Sequence, residues 1–427
     1  MGYLVILHSR LSFLDYLQSA QELGLKVCFV CENDQFPPSL REKFDLVIEG
    51  VKLCESELEH ALRRASILSE VKLYWTLNVT HVALCHKLNA EKLGLGGFSL
   101  ELANKTQNKE RLRWALRNTP FNPEYFIKPV SEYATNPLGH MACVIKPILG
   151  YSSIGVELVR EPEHYSHAFK KSASVLEMIS NSMSYLHPTE ICPNSNLLVE
   201  EFIEGTEYSL EMFAHGGKIQ CLAICEKSPM AEPYFEEISY KMPASLTELT
   251  RERLESAGLA IMQTLELQSG VAHLEVIDSP RGVIALDVGL RIGGSGLTHQ
   301  LMEHSLGINL VESCLREGLG LNPSTSLLRK KSHTALLYLY QIGRGGVVQE
   351  IPHARNLNLG ERVRHVESNI FVTPDTQLKG YPNYSGLPGY ALFEIESNSI
   401  DTFYEAQRII GICKDELAIK YQENSSS

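Results

Sequence analysis

Two acidic residues interrupt two short apolar segments in "HLEVIDSPRGVIALDVGLRIGGSG" (residues 273–296). The tetrapeptide SPRG predicts a turn between two antiparallel strands. A register centred on Arg281 places Glu275 directly opposite Asp287. Like charges in this position destabilise a sheet, so we expect a cation between them, such as Mg²⁺ held by carboxylate oxygens. The alternative is a solvated hairpin face whose charges have no function.

Side chains alternate along each predicted strand, which assigns them to two faces. On the second strand we expect Ile284, Leu286 and Val288 on one face, and Ala285 and Asp287 on the opposite face.

Two further residues share the predicted acidic face. Arg291 precedes the glycines of "GGSG", and an arginine there can stabilise phosphoryl or tetrahedral oxyanions. The alternative is that Arg291 simply pairs with Asp287. His273 is predicted opposite Gly289, and we interpret it as a packed or ion-paired histidine rather than a general base.

A glycine-containing loop follows a strand in "VIKPILGYSSIGV" (residues 144–156). Backbone N–H groups in such a loop can surround phosphate oxygens, and a lysine adds a cation. The Walker A pattern is absent, and a surface hairpin with ordinary turn glycines is an equal alternative. The candidate residues here are Lys146, Gly150, Ser152, Ser153 and Gly155.

An acidic run lies between two predicted strands in "NLLVEEFIEGTEYSLEMF" (residues 196–213). A carboxylate can accept hydrogen bonds from ribose hydroxyls, and exposed strand backbone can pair with an adenine edge. The alternative is that these charges protect an edge strand from aggregation. Lys109 opens the helix "NKERLRWAL", where a solvated lysine is the default interpretation. The acids of the run are Glu200, Glu201, Glu204 and Glu207.

The elements that must position these residues follow a recognisable order. Strands and helices alternate up to about residue 93, which is typical of a parallel sheet covered by helices. A glycine-rich boundary, a strand-rich stretch and the amphipathic helix "SLTELTRERLESAGLAIMQTLEL" precede the acidic hairpin. Beyond Arg329 the pattern changes to short strands with many turns. We predict three domains, at residues 1–95, 96–328 and 329–427.

Composition limits the classes of function. The formal net charge of −12 argues against a nucleic-acid partner. No apolar run approaches the roughly 18 to 20 residues of a membrane span, and the first strand lacks the features of a signal peptide. The ten cysteines are scattered, and Cys28-x-x-Cys31 lacks a second ligand pair for zinc. We expect buried reduced thiols and a cytoplasmic protein.

Taken in order, the motifs "NKERLRWAL", "VIKPILGYSSIGV", "LLVEEFIEGTEYSLE" and "HLEVI…ALDVGLRIGG" resemble those of the ATP-grasp superfamily. Within this superfamily the chain resembles the carboxylate–amine ligases, particularly the L-amino-acid ligase group, over nearly its whole length. The resemblance implies a mixed α/β and α+β fold. Its parts are an N-terminal Rossmann-like parallel-sheet domain, a central nucleotide-binding domain and a C-terminal β-rich module.

The resemblance also implies roles for the candidate residues. Lys109, Lys146 and the loop from Gly150 to Gly155 would contact ATP. The adenine-facing hinge would include Glu200 and the Ile203 backbone, and Glu207 would hold ribose. Glu275 and Asp287 would bind Mg²⁺, with Mn²⁺ as the alternative metal. Arg291 would stabilise the acyl phosphate and the tetrahedral intermediate, and weaker candidates in a substrate-closing segment are Lys227 and Glu236.

The implied activity is ATP-dependent amide formation between a small carboxylic acid, such as an amino acid, and an amine. Many members carry Glu at position 287 and Asn at position 289, whereas this chain has Asp287 and Gly289, which leaves the number of metal ions open. One alternative is activation of bicarbonate as in biotin carboxylases. Another is a nucleotide-binding regulatory protein without turnover. The oligomeric state also stays open, with a homodimer suggested by similar proteins.

Overall fold

The structure is a computed structural model of the 427-residue chain. It describes residues 2–7, 14–32, 38–133, 135–183, 196–228, 235–324, 333–380, 386–396 and 401–422. Residues 229–234, which belong to the predicted substrate-closing segment between Lys227 and Glu236, lie outside the described residues.

The N-terminal unit is a four-stranded parallel sheet in the order β3-β2-β1-β4. Alternate residues of β1 enter two different apolar clusters, so the sheet is buried on both faces, as parallel sheets usually are. This confirms the predicted alternation. The elements are β1 (Tyr3–Leu7), α1 (Leu14–Glu22), β2 (Lys26–Val30), α2 (Pro38–Arg41), β3 (Leu46–Ile48), α3 (Glu55–Arg64), β4 (Val71–Trp75) and α4 (Val82–Leu93).

Two short helices, α5 (Leu100–Gln107) and α6 (Lys109–Ala115), connect this unit to the rest of the chain. The side chain of Asn108 accepts a hydrogen bond from the Arg111 amide at 3.0 Å and so caps the start of α6. The cap fixes the first residue of α6, which is Lys109. The helix thereby carries Lys109 into the central cleft.

A small antiparallel sheet follows, with the order β5-β8-β6-β7. Helix α7 contacts β6 and β7, and an apolar cluster joins this helix to the sheet. The predicted strand before the glycine loop is present, and it contains Lys146. The elements are β5 (Tyr125–Pro129), β6 (Cys143–Pro147), β7 (Glu157–Val159), α7 (Tyr165–Ser174), α8 (Leu176–Met183) and β8 (Asn196–Glu201).

The largest of the described sheets is antiparallel and has eight strands, in the order β13-β12-β9-β10-β11-β14-β18-β16. Three of its strands come from the C-terminal part of the chain: β14 (His333–Leu339), β16 (Val363–Ile370) and β18 (Gly389–Glu396). The long helix α9 packs on it, in agreement with the predicted amphipathic helix. The elements of the chain between residues 206 and 318 are β9 (Thr206–His215), β10 (Lys218–Lys227), β11 (Ser239–Met242), α9 (Glu248–Thr264), β12 (Gly270–Ser279), β13 (Gly282–Gly289), α10 (Thr298–Leu306) and α11 (Leu310–Gly318).

The C-terminal strands complete the large sheet and add a small one, in the order β17-β15-β19. The large sheet therefore contains strands from both sides of the boundary that we predicted between residues 328 and 329. The remaining elements are β14 (His333–Leu339), β15 (Gly345–Glu350), β16 (Val363–Ile370), β17 (Gln377–Lys379), β18 (Gly389–Glu396), α12 (Asp401–Glu416) and β19 (Lys420–Tyr421).

The hairpin of β12 and β13 pairs Glu275 with Asp287, as predicted, but its loop and the strand register next to the loop differ from the prediction. Its loop has two residues, because Ser279 pairs with Gly282. A β-bulge then compensates, since Glu275 pairs with Asp287 while Val276 pairs with Ala285, which leaves Leu286 as the extra residue.

The bulge corrects our assignment of faces on β13. Ala285 and Val288 lie in the same apolar cluster, whereas Leu286 lies outside this cluster and lines the central cavity next to Asp287. The prediction that Leu286 and Val288 share a face opposite Ala285 is therefore wrong. Simple alternation fails here because the bulge inserts one residue into the pattern.

Two further properties concern the described residues only. No helix in these ranges combines the length and the apolar composition that crossing a bilayer requires. None of the nine cysteines within them forms a disulfide bond, and Cys28 in β2 and Cys31 just after it are both buried. Burial raises the pKa of the Cys28 thiol to about 12.

Candidate functional site

A cavity of about 560 Å³ lies between the sheet β5-β8-β6-β7 and the large sheet. The loop after β4 also lines it. Most of the residues that we selected from the sequence line this cavity, and the exceptions are Gly155, Glu204, Lys227 and Glu236. The lining candidates are Lys109, Lys146, Gly150, Ser152, Ser153, Glu200, Ile203, Glu207, Glu275, Asp287 and Arg291.

The two opposed acids each have a lysine partner. Lys227 Nζ lies 3.0 Å from Glu275 Oε1, and Lys109 Nζ lies 3.1 Å from Asp287 Oδ2. Lys109 also donates to the Gly150 carbonyl oxygen at 3.4 Å, which joins the acidic hairpin to the glycine loop. The repulsion expected between the acids is thus offset by ammonium groups. Asp287 pairs with Lys109, not with Arg291 as our alternative interpretation had it.

Lys227 is surrounded by three carboxylates. Its Nζ contacts Glu207 and lies 3.0 Å from one oxygen of each of Glu237 and Glu275. Burial disfavours the ammonium form, but the three acids outweigh burial and hold the pKa of Lys227 well above its ordinary value. Burial, with the nearby Glu275 and Glu237, raises the pKa of Glu207 to about 7. Lys227 is therefore a fixed positive charge beneath the acidic face.

A second buried ionic cluster lies at the other side of the cavity. Glu200 Oε2 lies 2.6 Å from Lys146 Nζ, and Glu200 Oε1 accepts a hydrogen bond from Arg113 Nε. Burial opposes ionisation of Glu200, yet the charges of Arg113 and Lys146 lower its pKa to about 2. Burial lowers the pKa of Lys146. Both oxygens of Glu200 are thus engaged within the protein.

The glycine loop presents unusual backbone to the cavity. Ser152 and Ser153 adopt left-handed conformations, with φ of 51° and 54°, and both line the cavity. Turns of this kind expose amide groups that can bind anions. Gly155 packs away from the cavity, since an added Cβ would lie 2.5 Å from Val175 Cγ2. A small apolar cluster of Leu149, Ile154, Val175 and Ile179 attaches the loop to α8.

His273 is buried as an ion-paired histidine, which agrees with our interpretation. Its Nδ1 lies 2.7 Å from Glu211 Oε1, and its Nε2 lies 3.5 Å from Glu275 Oε1. Burial lowers the pKa of His273, but the two carboxylates raise it more, to about 9. Gly293 packs directly on the ring. The imidazolium thus places a positive charge next to the Glu275 carboxylate.

Two site residues were missed by the sequence analysis. Glu237 lines the cavity, whereas the predicted Glu236 accepts a hydrogen bond from the Ile342 amide at 3.3 Å. Strand alternation next to β11 could have distinguished the two neighbours. Arg113 was also missed, although it lies in the quoted motif "NKERLRWAL", because its partners are far away in sequence. Arg291 lines the cavity as predicted, with its Nη1 donating to the Ile292 carbonyl oxygen at 3.0 Å.

Comparison with known proteins identifies the architecture. A family model described as "ATP-grasp domain" matches residues 140–299. These residues include the glycine loop, the acidic hairpin and Arg291. The chain contains an ATP-grasp domain.

The whole chain shares its fold with a known ligase. The crystal structure of L-amino acid ligase from Bacillus licheniformis superposes with a TM-score of 0.79 at 24% identity, covering 99% of both chains. Biotin carboxylase from Campylobacter jejuni is more distant, with a TM-score of 0.67 at 15% identity, covering 98% of this chain and 92% of the other. The predicted ATP-grasp fold is confirmed.

Curated relatives match parts of the chain. Alanine–anticapsin ligase of Bacillus subtilis is 24% identical over 52% of this chain and 48% of its own length. The L-arginine-specific L-amino acid ligase of Bacillus subtilis is 21% identical over 43% of this chain and 42% of its own length. Carnosine synthase 1 of Homo sapiens is 24% identical over 42% of this chain and 21% of its own length. The matched region therefore spans less than half of each of these relatives, which include members of the group that the sequence resembles.

The donor set of the ATP-grasp domain fits Mg²⁺ that is shared with phosphate. In the part of the chain that the structure describes, no three His, Cys, Asp or Glu side chains converge as a metal site. Glu275 and Asp287 supply two carboxylates at the cavity. Mg²⁺ commonly takes one or two protein carboxylates and completes its shell with phosphate oxygens and water. The residues present thus fit an ion that arrives with a nucleotide.

Proposed function

We propose that the chain is an ATP-dependent carboxylate–amine ligase, and that it joins a small carboxylic acid, such as an amino acid, to an amine. The observation that carries this proposal is the convergence of Glu275, Asp287, Lys109 and Lys146 on one cavity beneath the glycine loop. The ATP-grasp domain and the ligases among the relatives support the same reaction class.

In the proposed reaction a substrate carboxylate attacks the γ-phosphorus of ATP, which releases ADP and forms an acyl phosphate. The amine nitrogen then attacks the acyl carbon, the bond to phosphate breaks, and the nitrogen loses a proton. Phosphorylation is needed because oxide is a poor leaving group. Bound Mg²⁺ would neutralise charge on the transferring phosphoryl group.

The residues of this chain would mainly orient the reactants. Glu275 and Asp287 would hold Mg²⁺, and Lys109 would exchange its contact with Asp287 for a phosphate oxygen. Lys146 would contact the phosphates while Glu200 holds it in place. Arg291 would stabilise the developing oxyanion.

The remaining candidates would bind the nucleoside and enclose the substrate. The proposed hinge consists of the end of β8, with Glu200, and the residues that follow it, with Ile203. It would face the adenine, with the loop from Gly150 to Gly155 above the phosphates. Glu207 is ion-paired with Lys227, so ribose binding by Glu207 would require that pair to rearrange. We propose that Lys227 supports the substrate end of the site.

The test is to incubate the purified chain with ATP, Mg²⁺ and a panel of amino acids singly and in pairs, and to measure ADP, phosphate and new amide products. Phosphate release that needs both an acid and an amine supports the ligase. Release that depends on bicarbonate alone would favour the carboxylase alternative. Tight Mg²⁺–ATP binding without turnover on any substrate would favour the regulatory alternative. The Asp287→Asn variant serves as the inactive control for the whole assay.

A further inference from the structure

Helix α6 carries two cations on one face. Lys109 and Arg113 are four residues apart, so their side chains lie one above the other. Both reach β13, where Lys109 contacts Asp287 and Arg113 contacts the adjoining backbone. The Arg113 side chain is 0% exposed, which is exceptional for an arginine.

The contacts of Arg113 with β13 fall at the bulge. Its Nη1 donates to the Ala285 carbonyl oxygen at 3.0 Å, and its Nη2 donates to the Leu286 carbonyl oxygen at 2.8 Å. β13 is the edge strand of the large sheet, and the bulge further disrupts its hydrogen bonds with β12, so backbone groups at this point need other partners. The guanidinium supplies two donors at that point.

The bulge decides which way Asp287 points. Ala285 faces the apolar core, and in a regular strand Asp287 would share that face, because side chains repeat every two residues. The extra residue Leu286 shifts the alternation, so Asp287 faces the cavity opposite Glu275. The direction in which the Asp287 side chain points thus depends on this β-bulge.

The third donor of Arg113 ties this strand to the small sheet. Its Nε donates to Glu200, whose other oxygen holds Lys146. Arginine is suited to this place because its planar fork bonds several acceptors at once, whereas a lysine presents a single ammonium. One side chain therefore links both walls of the cavity.

We propose that Arg113 is a positioning residue that stabilises the β13 bulge and so directs Asp287 toward the metal ion. This inference rests on the proposed function, because it requires a divalent ion at Asp287. It predicts that loss of the guanidinium fork selectively reduces the contribution of Mg²⁺ to nucleotide binding.

The experiment is calorimetric titration of a non-hydrolysable ATP analogue into the wild type and into Arg113→Lys, Asp287→Asn and the double variant, with Mg²⁺ or with EDTA. The quantity measured is the dissociation constant of the analogue in EDTA divided by its dissociation constant in Mg²⁺. This ratio reports how much Mg²⁺ tightens binding. We expect Arg113→Lys to reduce this ratio by about 10- to 100-fold, as for other residues that orient metal ligands. The matched control Arg117→Lys, on an exposed arginine that stacks on Trp114, should leave the ratio unchanged.

Because Arg113 acts through Asp287, the double variant should have the ratio of Asp287→Asn alone. Equal weakening with Mg²⁺ and with EDTA, or losses that multiply in the double variant, would indicate a merely structural arginine and overturn the inference. A wild type whose binding does not respond to Mg²⁺ would instead refute the proposed function, and the inference with it.

A second variant covers the case in which Arg113→Lys does not fold. Deleting Leu286 removes the bulge but keeps Asp287 opposite Glu275, since the pairs on both sides are then in one register. Adding this deletion to Arg113→Lys should restore folding and the Mg²⁺ effect. A combined variant that stays unfolded, or that folds without the Mg²⁺ effect, contradicts the proposal.

Discussion

Replacing Gly293 by alanine should destabilise the site through a collision with His273. A Cβ added at Gly293 would lie 1.9 Å from His273 Nδ1 and 2.2 Å from two ring carbons. Non-bonded atoms cannot approach this closely, and closely packed interiors relax only partly. The ring must therefore leave its position, which breaks its contact with Glu211.

The expected cost follows from what the displaced ring leaves behind. The Glu211 side chain is 0% exposed, so it would lose the partner that compensates its buried charge. Removing one partner of a buried ion pair costs about 3 to 5 kcal/mol of folding free energy. Urea unfolding of wild type and Gly293→Ala measures this loss. Gly411→Ala is the control, because Gly411 lies inside α12 with no atom within 4 Å of an added Cβ, and there we expect a gain of up to about 1 kcal/mol.

The cause can be separated from a general intolerance of alanine at this position. In the His273→Ala background the ring is absent, so adding Gly293→Ala should cost less than about 1 kcal/mol, because the two changes share one contact. If Gly293→Ala costs the same in both backgrounds, or less than about 1 kcal/mol in the wild type, the reasoning from the collision is refuted.

Three further predictions concern charge. Asp287→Asn should lower kcat of the proposed ligase by at least about 100-fold through weaker metal binding, with little change in thermal midpoint, and steady-state phosphate release would show it. Lys227→Met should lower the thermal midpoint in EDTA, because three acids lose their ammonium partner. Mg²⁺ should raise the midpoint of this variant more than that of the wild type. Equal midpoints of the variant and the wild type in EDTA would contradict this. Burial lowers the pKa of His86 from 6.5 to about 4. The unfolded chain therefore binds the proton first, so the contribution of His86 to stability is present above pH 6.5 and is lost as pH falls toward 4. His86→Leu should flatten this part of the stability profile measured by urea unfolding.

Local patterns were sufficient to predict most of the elements. The alternation of strands and helices before residue 93 and the apolar spacing of α9 are short-range signals, and the structure contains both features. The order of four motifs also predicted the ATP-grasp fold. What these patterns describe is the conformation of neighbouring residues, which depends little on the rest of the chain.

The hairpin shows where such signals end. The pairing of Glu275 with Asp287 was predicted from a register that a two-residue loop does not produce, and a bulge restores it. The bulge is held by Arg113, which is 172 residues away from Ala285 along the chain. Strand periodicity contains no information about a partner at that separation. The faces of β13 were therefore misassigned even though the pairing of Glu275 with Asp287 was predicted correctly.

The charges around the cavity explain why a cation should accompany any triphosphate. Among the described residues that line it, seven are acidic, and the only lysines and arginines are Lys109, Lys146 and Arg291. Lys109 and Lys146 already pair with acids. A bare triphosphate would meet carboxylates whose charges are only partly offset, in a setting where burial strengthens repulsion. A divalent ion held by Glu275 and Asp287 would reverse the sign of the charge at the proposed phosphate site, and it would free Lys109 to contact the phosphates. The same acids that would repel the nucleotide alone would thus favour its metal complex.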